Sequence, residues 1–344
     1  MQVSLIVKLL LLIALASCYS NVEAQRSRLL TSALDVPWGM ALVGEEKLLV
    51  TQRNGEIVTV NLTSGKVDKI SGGPSVLAKG QGGLLDVKIA PDYAENGWLY
   101  FTYVKNVNNQ GAVTLARAKL LGNQLSGTTL SQWQDLIVTR SRTKYSRHFG
   151  SRITFDRKGH VFFSVGDRGN RKSAQDLSTH NGTILRLNLD GSVPKDNPFV
   201  GDKKALPEIY SYGHRNPQGL AFDYTRDELW SVEHGPRGGD ELNHIVAGGN
   251  YGWPIVSHGK EYATWLSVGE ATSKPGFIDP IKVYIPSIAP ASLLLISSLH
   301  TREFLIGALK LQHVNHLTLS TDEKIDEQRY LLSLNKRIRN VISD

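Results

Sequence analysis

One pattern recurs along this chain and restricts its fold more than any other feature: an apolar strand, an acidic or glycine turn, and a second apolar strand. It runs from Trp38 to Val50, from Leu85 through Tyr93 to Gly97-Trp-Leu-Tyr-Phe101, from Ile153 to Val165, and from Leu220 to Val232. A looser copy spans Ile288 to Leu295 and Phe304 to Leu309. Each copy reads as a β-hairpin, because apolar residues alternate with polar ones and turn residues separate the two runs. The copies start about 45–70 residues apart, the length of a four-stranded propeller blade with its loops. Further strands lie between them at Gly55–Leu62, Ala112–Ala118 and Thr183–Leu189. A β-sandwich also offers hairpins, but it does not explain a recurring block. Blades stacked radially around a channel do, since one blade cannot bury both its faces alone.

The 32 glycines among 344 residues suit such a turn-rich, all-β chain, and 41% hydrophobic residues supply a core. The last lead-in, Ile338-Arg-Asn-Val-Ile-Ser-Asp344, ends before any strands follow it. The expectation is a ring whose last blade is truncated, which would leave strand edges open. Residues 25–344 are read as a single catalytic propeller domain.

The first 24 residues stand apart. Lys8 precedes the apolar run Leu9–Ala16, and small residues follow, as in a secretory signal. Val22-Glu23-Ala24 fits cleavage before Gln25, and Leu15-Ala16-Ser17-Cys18 fits a lipoprotein site that would lipidate Cys18. Both remain open. Export to the periplasm is expected, with a lipid anchor at Cys18 as the sole expected membrane attachment. Cys18 is the only cysteine, so the mature fold has no disulfide. The net charge of +7 contains no block of like charges, which argues against a nucleic-acid partner.

Four loop segments carry unusual residues. Gln81-Gly82-Gly83 lets backbone approach a ligand beside an amide donor and acceptor. Arg147-His148-Phe149-Gly150-Ser151-Arg152 precedes a strand, and Gly166-Asp167-Arg168 closes the same hairpin, so strand pairing can return Asp167 toward His148. A carboxylate beside a histidine orients a general base, whereas two unrelated surface turns are the plainer reading. Gly213-His214-Arg215-Asn216-Pro217-Gln218-Gly219 suits fixed binding of a carboxylate or quinone oxygen, or merely a structured turn. Glu233-His-Gly-Pro-Arg-Gly-Gly-Asp-Glu241, followed by Asn250-Tyr-Gly-Trp-Pro254, offers carboxylates and glycine-exposed carbonyls for a hard cation such as calcium.

Taken together and in order, these motifs resemble the soluble pyrroloquinoline-quinone (PQQ) aldose sugar dehydrogenases, relatives of soluble quinoprotein glucose dehydrogenase. The resemblance covers about residues 30–344. It implies an all-β, six-bladed β-propeller of four-stranded antiparallel blades. It also implies PQQ- and calcium-dependent oxidation of an aldose at the anomeric carbon, giving the lactone. His148 matches the family's base and Asp167 the acid that orients it, with Arg215 beside them. Gln81, Arg215, Asn216, Lys310, Arg337 and Arg339 match cofactor contacts, as does His148. Gly235 and Pro236 match the carbonyls that hold a cofactor-bound calcium, and Glu241 and Tyr251 match a further calcium site. The implied partners are an aldose substrate and an electron acceptor, either a cytochrome or the quinone pool.

Two other readings stay in view. A non-enzymatic sugar- or protein-binding propeller would have no need of His148. A calcium-dependent lactonase-type hydrolase would have no need of Lys310, Arg337 and Arg339.

Overall fold

A computed structural model describes residues 27–123 and 127–343. The signal segment, with Cys18 and the cleavage positions, lies outside the described residues. No helix among them is long and apolar enough to cross a membrane.

Among the described residues, twenty strands form five four-stranded antiparallel sheets, each a meander in chain order. Blade 1 holds β1 (Pro37–Leu42), β2 (Lys47–Gln52), β3 (Ile57–Asn61) and β4 (Val67–Ile70). Blade 2 holds β5 (Leu84–Ile89), β6 (Trp98–Val107), β7 (Gln110–Asn123) and β8 (Gly127–Val138). Blade 3 holds β9 (Ile153–Phe155), β10 (His160–Val165), β11 (Thr183–Asn188) and β12 (Ile209–Tyr212). Blade 4 holds β13 (Pro217–Asp223), β14 (Glu228–Glu233), β15 (Asp240–Ile245) and β16 (Lys282–Tyr284). Blade 5 holds β17 (Pro290–Ser297), β18 (Thr301–Ala308), β19 (Val314–Ser320) and β20 (Ile325–Tyr330). The recurring sequence block is therefore the inner hairpin of every blade, including the looser copy.

The expected count of six blades is corrected to five. Five sheets use residues 37–330, and residues 331–343 supply no strand. A short turn at Leu332–Leu334 leads into an extended run in which Ile338 N–H donates to Ala308 O at 3.2 Å.

Alternation along the strands explains the stacking. Phe162 and Phe163 are neighbours on β10 yet belong to different cores. Phe163 packs with Tyr100 and Leu115 of blade 2, and Phe162 packs with Leu220 and Leu229 of blade 4. Side chains of successive strand residues point to opposite faces, so each blade shares one core with each neighbour. Trp230, Val232, Leu293 and Phe304 do the same between blades 4 and 5. On blade 1, Val50, Val58 and Val60 are covered by Leu30 and Leu34 from the segment before β1.

The innermost strands β1, β5, β9, β13 and β17 pack on one another in that order. Their approach is close. A Cβ on Gly39 of β1 would lie 2.7 Å from Val87 N of β5, so only glycine fits there. Four of these strands carry a register shift near their start, which bends the strand where the preceding loop enters.

Candidate active site

Three of the sequence-predicted residues converge because of where they sit on the blades. Gln81, His148 and Asn216 each lie one to five residues before an inner strand, in blades 2, 3 and 4, and Ala289, which the sequence did not single out, lies one residue before that of blade 5. The loops that enter the inner strands therefore meet at one end of the channel. This is the usual place for function on a rigid β-scaffold.

His148 is held in an uncommon conformation. Its φ is 54°, in the left-handed region that side chains disfavour. Its N–H donates to Gln81 Oε1 at 2.7 Å, and the N–H of Gly150, two residues on, donates to Asn216 Oδ1 at 3.1 Å. Its ring Nδ1 lies 2.6 Å from Asp167 Oδ1. The carboxylate accepts there, so Nδ1 carries the proton and Nε2 presents a lone pair. The hairpin does return Asp167 to His148, and the reading of two unrelated surface turns is set aside. Gly166 permits the approach, since a Cβ there would lie 2.4 Å from His148 O.

Asp167 is fully buried. Burial works to raise its pKa, but the His148 hydrogen bond and charge, Arg215 and the Gly169 N–H hold it below the usual range. The indole N–H of Trp253 donates to its other oxygen at 2.8 Å. Burial lowers the His148 pKa, and the Arg215 and Arg147 cations add to this, while Asp167 opposes it. The ring is neutral at neutral pH and able to accept a proton.

The turn that carries Arg215 and Asn216 is built on the buried carboxylate of Glu233. One of its oxygens accepts from the N–H groups of Arg215 (2.7 Å) and Asn216 (3.2 Å). The other accepts from His214 Nδ1–H at 2.9 Å. Arg215 Nη1 donates to His234 O at 3.0 Å, yet its buried Nε has no partner within the protein. Its guanidinium lies 5.4 Å from the centroid of Trp253. A buried donor left unpaired points to a ligand oxygen.

A cavity of about 250 Å³ is lined by Gln81, Phe149, Asn216, Gln218, His234, Trp38, Arg53, Arg337 and Arg339, among others, and no Asp or Glu is in its lining. Arg337 is exposed and Arg339 half-buried. Burial, with the nearby Arg152, Arg337 and Arg53 cations, pushes Arg339 down to about 10. Lys310 lies apart from these arginines. It lines an adjoining groove with Gly235, Pro236, Arg237, Tyr262 and Trp265, which shares His234 and Ala289 with the cavity.

The cation candidates fall in two places. Gly235 and Pro236 line the groove beside Lys310, and the Gly235 N–H donates to Asp240 at 2.9 Å. Glu241 and Tyr251 line a separate cavity of about 10 Å³ with Glu233, Gly235 and Gly213. Asn243 Nδ2 bridges Glu233 and Glu241 at 3.3 Å each. Burial pushes Glu241 up to about 8, and the Glu233 charge adds to this. The Tyr251 hydroxyl is committed to His244 O and Val246 N–H, so this side chain offers no oxygen to a cation. Among the described residues, no cluster of three or more His, Cys, Asp or Glu forms a metal centre. Glu233 and Glu241 share this small cavity with Arg215, and the Glu233 oxygens already accept from His214, Arg215, Asn216 and Asn243, which leaves Glu241 as the carboxylate open to a cation.

Sequence reasoning left three contributors without a role. Trp253 was visible in Asn250-Tyr-Gly-Trp-Pro254 but not as the partner of Asp167. Arg53 donates to Gly80 O at 3.0 Å and enters the cavity, and nothing in its own segment marks it. Arg168, fully buried, ties the His148 loop by donating to Gly111 O, Ser141 O, Tyr145 O and Arg147 O, with Phe149 stacked 3.7 Å away.

Known proteins agree with this architecture. The family model described as Glucose / Sorbosone dehydrogenase matches residues 34–344. The aldose sugar dehydrogenase YliI of Escherichia coli is 35% identical over 328 residues, covering 93% of this chain and 86% of that protein. A crystal structure of a glucose dehydrogenase superposes with a TM-score of 0.85 at 33% identity, over 91% of this chain and 92% of that one. The PQQ-bound aldose sugar dehydrogenase of Streptomyces coelicolor gives 0.76 at 27% identity, over 92% and 87%. A family model that spans nearly the whole propeller, with relatives alike over nine-tenths of this chain, leaves one assignment: the chain belongs to the Glucose / Sorbosone dehydrogenase family.

Proposed function

We propose that this protein oxidises aldose sugars at the anomeric carbon with PQQ and calcium, giving the lactone. The observation that carries the reading is the cavity into which Arg53, Arg337 and Arg339 converge with no carboxylate in its lining, next to a histidine oriented as a base. PQQ bears three carboxylates, and a guanidinium-rich cavity complements them. The unpaired Nε of Arg215 suits a further oxygen of the same ligand. Gln81 and Asn216 would contact its ring system. Lys310 would take a carboxylate from the groove side, and the Gly235 and Pro236 carbonyls would hold the accompanying calcium. Glu241, with the main chain near Tyr251, would hold a second calcium.

When bound, PQQ supplies the acceptor for the hydride of the anomeric carbon. His148 takes the proton of the anomeric hydroxyl at Nε2. Asp167 keeps the Nδ1 proton in place and stabilises the imidazolium that results. Trp253 and Gly169 keep that carboxylate from rotating. The burial that depresses the histidine's pKa also keeps it unprotonated, and so competent, at neutral pH.

The natural electron acceptor is proposed to be a cytochrome or the quinone pool, met after export to the periplasm. Dye-linked sugar oxidation by the purified protein tests the reading. Turnover is expected to need both PQQ and calcium. Lactone cleavage without PQQ would replace this reading with a hydrolase, and sugar binding without turnover would replace it with a binding propeller.

A further inference from the structure

We infer that Arg152 is a positioning residue for the ligand's carboxylates, acting through the main chain of Arg339. The inference rests on the quinone reading above.

Arg152 is 3% exposed and is not part of the cavity lining. Its guanidinium nevertheless reaches the inner strands of the four other blades and the run that carries Arg339. Nη1 donates to Asp86 Oδ1 of blade 2 at 3.0 Å. Nε donates to Gln218 O of blade 4 and Ala291 O of blade 5, each at 3.0 Å. Nη2 donates to Ala291 O and, at 2.9 Å, to Arg339 O. The ring of Trp38 in blade 1 lies 4.0 Å away. Arg152 itself opens blade 3, directly before β9. One cation thus joins the inner strands of all five blades to the segment that carries Arg337 and Arg339.

The bond to Arg339 gives this hub a consequence for the ligand. Residues 335–343 form no strand, so the sheets do not fix their main chain. Arg152 fixes it at Arg339 O, and Ile338 N–H adds a tie to Ala308 O. The Arg339 guanidinium lies 6.0 Å from the same Trp38 ring that covers Arg152. Charge alone would drive it away, since Arg152, Arg337 and Arg53 all surround it. A main-chain anchor holds it near like charges, where an anion can then bind. Only a planar donor fork can serve Asp86 and three carbonyls at once, and a lysine ammonium cannot.

The test is PQQ affinity measured by calorimetry on the full calcium-loaded chain, with thermal midpoints recorded alongside. Arg152→Lys is expected to weaken PQQ binding about tenfold. Arg339→Ala is expected to weaken it by a similar factor. The double variant R152K/R339A should then bind within about twofold of R339A alone, because both changes remove one grip. R152K/K310A should instead lose the product of its two single losses, since Lys310 is not held by Arg152.

A merely structural Arg152 would give losses that multiply in both pairs, and that result overturns the inference. Unchanged binding by R152K, with R339A weakened, also overturns it and leaves the quinone reading intact. Absence of PQQ binding by the wild-type protein would sink both. Should R152K fail to fold, R152Q/D86N replaces it and is read in the same two pairings. That variant removes the Arg152 and Asp86 charges together, so neither of the two is left facing an uncharged partner, while Lys88 loses the attraction of Asp86 and the repulsion of Arg152 alike.

Discussion

The base and the anion grip are neighbours, joined through Gln81 and Phe149 of the cavity wall, but they are built in opposite ways. His148 sits on the connection that enters blade 3 and Asp167 on the loop between β10 and β11 of that blade, and side chains from the loops entering blades 2 and 4 and from the long loop after β15 brace them. Gln81, Asn216 and Trp253 each supply a hydrogen bond within 3.1 Å. Arg337 and Arg339 sit on an irregular run after the last strand, where Arg337 is exposed and carbonyl ties replace a sheet. Proton transfer needs one fixed geometry in the reacting complex, so its residues are locked beforehand. Carboxylate binding tolerates longer, screened contacts, so its residues can close on the ligand as it arrives.

That comparison has consequences that variants can break. His148→Ala should lower turnover about a thousandfold while leaving PQQ affinity within about threefold. A large loss of affinity would mean that the two regions are not separable. Asp167→Asn should cost about a hundredfold in turnover. It should also move the acid limb of the pH–rate profile. In the wild type, that limb lies below the ordinary histidine value of 6.5, because burial lowers the His148 pKa. Asp167 is the group that raises it, so D167N pushes the limb lower still, and an upward move would contradict the pairing.

Arg339→Ala should weaken PQQ binding about tenfold yet leave turnover at saturating PQQ nearly unchanged. Arg337→Ala, at an exposed position, should cost less. Trp253→Phe should lower turnover about fivefold without affecting affinity, by releasing one oxygen of Asp167. The smallest effect concerns the cation cavity. Chelation of calcium should lower the wild-type thermal midpoint by about 4 °C, the result expected when a ligand at about 100 times its Kd is removed. Glu241→Gln should abolish most of that difference.

Much of this was legible in the sequence because the inner hairpin repeats. Ile153–Val165 and Leu220–Val232 carry the same alternation because each must bury both faces between neighbours. The same hairpin allows the pairing of His148 with Asp167, although the sequence alone favours two unrelated surface turns. The number of blades did not follow, because a lead-in such as Ile338–Asp344 looks alike whether or not strands come after it. Arg152, Arg53 and Trp253 were silent for another reason. Their partners lie far away in sequence, as with Arg152 and Ala291 at 139 residues, and no local pattern records a contact made only on ring formation. The residue type of Tyr251 does not say which of its atoms serves a site, and its hydroxyl is bound to the main chain of His244 and Val246.

The placement of site residues just before inner strands has a wider implication for how such a molecule can change. Each blade contributes its own entry loop, and these loops are not covalent neighbours. A change of length or composition in one alters a single wall of the cavity and leaves the others in register. Outer strands such as β20, whose residues are largely exposed, can drift without reaching that wall. New substrate preferences can therefore be sampled one blade at a time, with the central guanidinium as the shared constraint that every exchange of loops has to respect.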